Sequence, residues 1–141
     1  MPMVVINDVK DAVVSTIVAT FPTMDVYDER MPQGFQEPCF FVLMFPVSHS
    51  KQRDRRYMRS HSFDIHYFNN NNYTACRDMA EQLYSLMELI TMDGNMIRGE
   101  AMTHEIVDGV LHFNVRYDFY VLKERTPEDK MQSLLQEGRL K

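Results

Sequence analysis

Asp108-Gly109 stands between two alternating stretches, Met102-Thr103-His104-Glu105-Ile106-Val107 and Val110-Leu111-His112-Phe113-Asn114-Val115. No other feature constrains the fold as tightly. An Asp-Gly pair supplies the positive backbone angles of a two-residue hairpin turn, so the spacing predicts two antiparallel strands in a fixed register. Val107 then pairs with Val110, Ile106 with Leu111, His104 with Phe113 and Met102 with Val115. On the opposite side Glu105 meets His112, Thr103 meets Asn114 and Ala101 meets Arg116. A one-residue slip would exchange the two faces, and this register separates a mostly apolar face from a polar one. The first is a core surface; the second meets water or another protein.

At 141 residues with 45% hydrophobic composition, the chain is long enough for one domain with a real core. Its net charge of −5 is unlike that of a general nucleic-acid binder, although a local patch can override the total. The two cysteines, Cys39 and Cys76, fall in different expected elements and form no CxxC pair, which reads as buried thiols in a reducing cytosol. No apolar run approaches the ~20 residues of a membrane span, and no basic segment leads into a long apolar stretch at the N-terminus. Neither a membrane role nor export by a signal peptide is expected. Twelve methionines suit an adaptable core or a protein interface without deciding between them.

Residues 7–21 read as an amphipathic helix. Asn7 and Asp8 sit at its start, Val9, Val13, Ile17 and Phe21 recur at four-residue steps, and Pro22 ends it. Residues 25–28 read as a short strand and residues 29–38 as an irregular connection. Residues 40–47 are apolar in both alternating sets, the mark of a strand covered on both faces. Residues 48–56 are polar and read as a long basic arm carrying Lys51, Arg53, Arg55 and Arg56, linking two strands. From Tyr57 to Phe68 the chain alternates again, with His61, Phe63, Ile65 and Tyr67 on one face and Ser60, Ser62, Asp64 and His66 on the other. Four asparagines, 69–72, precede a second helix expected over residues 73–90, whose stripe runs Cys76, Met79, Ala80, Leu83, Leu86, Met87, Ile90. The second hairpin arm continues through Phe119, Val121 and Leu122. Thr126-Pro127-Glu128-Asp129 caps a short tail helix striped by Met131, Leu134 and Leu135.

This order predicts an α+β fold: an antiparallel-rich sheet of four to five strands, two amphipathic helices packed on one face, and a short C-terminal tail helix. The expected division is a single domain over 1–125 and the tail helix over 126–141.

Two groups of residues invite a chemical reading. Asp64, His66, Glu105 and His112 share the polar face and could hold a divalent metal in a small metal-dependent enzyme. Cross-strand polar pairs on a wet sheet face have the same pattern, and no HExxH, DxDxDG or paired-cysteine set supports a metal. Lys51, Arg53, Arg55 and Arg56, with Tyr57 beside them, could grip phosphates in a nucleic-acid-binding module, but such runs are ordinarily solvated or contact a neighbouring subunit. There is no GxSxG, GxGxxG or GxxxxGK[ST], and no catalytic residue or cofactor is assigned.

Three stretches carry a resemblance: Gln33-Gly34-Phe35-Gln36-Glu37-Pro38-Cys39-Phe40-Phe41-Val42, Arg59-Ser60-His61-Ser62-Phe63-Asp64-Ile65-His66-Tyr67-Phe68, and Glu105-Ile106-Val107-Asp108-Gly109-Val110-Leu111-His112-Phe113. In order and spacing they resemble the small tail-terminator, or tail-completion, proteins of tailed phages and prophages of Gram-positive bacteria, over about residues 5 to 123. The resemblance implies an α+β virion structural protein without catalytic activity or cofactor. It further implies a homo-oligomeric, usually hexameric, ring on the head-proximal end of the tail tube. The implied partners are the tail tube protein and a head-completion protein, with DNA passing through the lumen unbound. The implied location is the virion tail, assembled in the bacterial host cytoplasm. No individual contact residue transfers. The polar hairpin face and the basic segment are the expected subunit or partner surface: Lys51, Arg53, Arg55, Arg56, Tyr57, Asp64, His66, Glu105, His112, Asn114 and Arg116.

Overall fold

A computed structural model describes residues 6–45, 48–53 and 56–122, with the backbone alone at Arg53, Val121 and Leu122. The expected tail helix and Arg55 lie outside the described residues. The elements run α1 (Ile6–Thr20), β1 (Asp25–Tyr27), β2 (Cys39–Met44), β3 (Ser48–Arg53), β4 (Arg56–Phe68), α2 (Tyr73–Leu86), β5 (Leu89–Met92), β6 (Asn95–Val107) and β7 (Val110–Leu122). Among the described residues, seven strands form a mixed sheet in the order β1-β2-β4-β7-β6-β5, with β3 also on β4. All pairings are antiparallel except β1 with β2.

The expected count of four to five strands is therefore too low. One missing strand is β3, which occupies the segment read as a basic arm. Polar side chains hid it, but its backbone pairs Ser48 with Ser60 and Lys51 with Tyr57, along the edge of β4 beyond the end of β2. The other is β5. The second helix stops at Leu86, and Ile90, counted in its stripe, belongs instead to a strand pairing with Ile97. Ile90 is buried in either setting, which is why its hydrophobicity did not separate them. The β2 strand also ends at Met44, with Phe41 and Leu43 only half-buried, so its second face is not fully covered.

The hairpin register holds from Val107↔Val110 to Thr103↔Asn114. Beyond that it shifts. Ala101 adopts a left-handed φ of 53°, two residues of β6 occupy the space opposite Val115, and Glu100, not Ala101, opposes Arg116. Such a bulge bends and twists the strand that carries it. Gly99 then faces Tyr117, where a Cβ would stand 2.3 Å from the Met87 carbonyl oxygen. A glycine is needed for that approach, and the Gly99 N–H donates to the Glu88 carbonyl at 2.7 Å.

One contiguous core results. Val9, Val13 and Ile17 of α1, together with Cys76, Met79 and Leu83 of α2, pack with Phe40, Phe63, Ile65, Leu111, Phe113 and Tyr117 of the sheet. Each large side chain so buried contributes about 1.5–3 kcal/mol relative to exposure. Asn72 caps α2 by accepting from the Ala75 N–H at 3.0 Å. Both cysteines are free and buried.

Candidate subunit surface on the open sheet face

The alternation that sends Ile65, Tyr67, Leu111 and Phe113 into the core turns Asp64, His66, His112 and Asn114 to the other face of the sheet. The β4–β7 pairing places His66 opposite His112 and Asp64 opposite Asn114, bringing together residues 46 or more positions apart in sequence. Asp64 is the centre of the group. Its Oδ2 lies 3.0 Å from His66 Nε2 and 3.4 Å from His112 Nδ1, and the two imidazole rings are 4.1 Å apart. The rings of Phe41 and Phe68 flank His66 edge-on at 6.0 and 6.3 Å.

These groups are half-withdrawn from water. The side chain of Asp64 is 13% exposed, that of His66 15% and that of His112 24%. Burial pushes the Asp64 carboxyl upward, but hydrogen bonds and charge from His66 and His112 outweigh it, and the net shift is downward. Its second oxygen, Oδ1, is buried and has no hydrogen-bond partner among the described residues.

Further along the same face, Arg116 Nε donates to both oxygens of Asp118 at 2.9 and 3.1 Å, and its NH2 reaches Glu100 at 3.4 Å. Glu100 arrives there through the bulge. Glu105 pairs with His112 in register yet stays exposed, and its carboxylate does not join the cluster, so the expected four-group set contracts to three. Asn114 remains half-buried beside Asp64.

Among the described side chains of the basic segment, Lys51 and Arg56 form no common patch. Lys51 pairs with Tyr57, so its side chain lies on the opposite face from that of the neighbouring Arg56, and both are exposed. Arg56 sits over the Tyr120 ring at 3.9 Å from the centroid, a cation–π contact. Tyr57 stacks on His49 at 4.4 Å, and Arg59 Nε donates to His49 Nδ1 at 2.9 Å.

The sequence matches the family model of the phage tail terminator protein over residues 8–129. The chain belongs to the phage tail terminator family. Its place is thus in the structural part of a phage tail. No curated protein is significantly similar to this tail terminator. One solved structure, titled only by an identifier, aligns with 85% of this chain and 96% of its own length at 11% identity, with a TM-score of 0.47. At that level the likeness carries no argument about the terminator's function.

Proposed function

We propose that the protein forms a homo-oligomeric ring, a hexamer when assembled, that caps the head-proximal end of the tail tube and receives a head-completion protein. Family membership over residues 8–129 is the observation that carries this reading. The open sheet face supports it. An interface between subunits of a ring must be specific as well as adhesive, and half-buried charged groups with aromatic neighbours are suited to that. Asp64, His66, His112, Asn114 and Arg116 form one part of the contact surface, and Lys51, Arg56 and Tyr57 on the extended β3–β4 hairpin form another.

DNA would pass through the lumen without being held, which agrees with a chain of net charge −5. Assembly takes place in the host cytoplasm, with the tail tube as template. Incubation of the purified protein with tail tubes, followed by electron microscopy, tests the proposal: a ring on one tube end supports it, and bare ends at saturating protein contradict it.

A further inference from the structure

We propose that Asp64, His66 and His112 form a three-donor binding site for a divalent transition metal of the zinc class, non-catalytic and on the open face of the sheet. The proposal does not rest on ring assembly. One ligand atom from each of Asp64, His66 and His112 lies within 4.8 Å of the other two. Two of the separations, 3.0 and 3.4 Å, are those between adjacent ligands of one ion bound at about 2.0–2.2 Å.

The donor chemistry narrows the ion. Two imidazoles and one carboxylate suit Zn²⁺, Co²⁺ or Ni²⁺, whereas Mg²⁺ and Ca²⁺ prefer all-oxygen surroundings. Three protein ligands leave at least one coordination position for water or an outside donor.

A second observation points the same way. Asp64 is 9% exposed, and its Oδ1 is buried without a partner among the described residues while Oδ2 takes both histidines. A buried carboxylate oxygen left unpaired carries a desolvation cost that a cation beside it would offset. The backbone is prepared as well: His66 and His112 are directly opposed in the β4–β7 ladder and Asp64 is two residues along β4, so all three donors rise from paired strands. On binding, His66 would carry its proton on Nδ1 and His112 on Nε2, freeing the nitrogens now directed at Asp64.

The site is distinct from the other histidines. His49 is held by Arg59 and Tyr57, His104 by Tyr84 at 2.8 Å, and His61 is enclosed against Phe119.

The test uses the full chain stripped with chelator and titrated with CoCl2, with calorimetry giving stoichiometry and visible absorption reporting coordination. One Co²⁺ per chain is expected, displaced by Zn²⁺, with affinity falling at least about tenfold in Asp64→Asn and in His112→Gln and unchanged in His49→Gln. Absence of binding, equal binding in the two site variants, or an equal loss in His49→Gln would overturn the proposal. Should a site variant fail to fold by circular dichroism, nitrogen-15 NMR of the wild-type histidine rings decides. Addition of ZnCl2 should shift His66 Nε2 and His112 Nδ1 and leave His49 and His104 in place; shifts confined to the latter pair, or none, refute it.

Discussion

Tyr117 donates a hydrogen bond to the Met87 carbonyl oxygen at 2.8 Å, with both residues fully buried. The contact joins the end of α2 to the central strand β7, at the point where β6 offers only Gly99 and the helix can approach. Burial holds the Tyr117 phenol well above its ordinary range, so it stays a donor at every physiological pH. Tyr117→Phe removes the donor and leaves the carbonyl short of a partner, at an expected cost of about 1–2 kcal/mol. A urea midpoint shift without a change in slope would verify it.

Gly99→Ala tests the same junction from the other side. A Cβ there would meet the Met87 carbonyl oxygen at 2.3 Å and Val115 Cγ2 at 2.9 Å, and the first is backbone that cannot swing aside. We expect a loss of about 1–3 kcal/mol or failure to fold, measured by thermal unfolding. Wild-type stability would show that the helix end does not sit against β6.

His61 is buried with neither ring nitrogen hydrogen-bonded among the described residues, and its ring stacks on Phe119 at 5.1 Å. Burial lowers its pKa to about 4, with the Arg59 charge adding to the effect and Asp118 opposing it. Unfolding returns it to about 6.5, so the unfolded chain binds the extra proton between these values. Stability is full above about pH 6.5 and declines as pH falls toward 4. In His61→Leu the difference in unfolding free energy between pH 7.5 and 4.5 should narrow by up to about 2 kcal/mol. An unchanged difference would locate the acid sensitivity elsewhere.

Asn72→Ala removes the side-chain acceptor for the Ala75 N–H and should cost about 1 kcal/mol. Helical signal lost on warming below the global transition would show that α2 frays from this end.

The parts of this fold legible in the sequence are those whose pattern is local. Asp108-Gly109 fixed five pairs of the hairpin because turn type and alternation agreed. Ala101 broke the sequence-derived register because nothing in an alanine signals a left-handed conformation, and so Glu100 was missed as the partner of Arg116. The β5 strand merged with α2 because Ile90 continues a four-residue spacing from Leu86, and a short apolar run has no period of its own. The β3 strand is polar on both sides, and only backbone pairing with β4 defines it. At the site, Asp64 and His66 were visible as alternate residues of one strand. Their meeting with His112 depended on the β4–β7 pairing, a long-range fact, while Glu105, nearer in the hairpin register, stayed apart.

Arg116→Glu separates folding from assembly. Its side chain is 42% exposed, so the ion pairs with Asp118 and Glu100 should be worth less than about 1 kcal/mol to the subunit. We expect near-wild-type unfolding together with weakened self-association, detected by light scattering in the presence of tail tubes. Equal association of the variant and the wild type would remove Arg116 from the contact surface.

The most direct measurement is tube growth in the presence of this protein. Purified tail tube subunits should elongate freely alone and stop when the wild-type chain is added, with one ring density on each arrested end by electron microscopy. Tubes that keep growing at saturating protein, with no density at their ends, would contradict the assignment of this chain to the tail end.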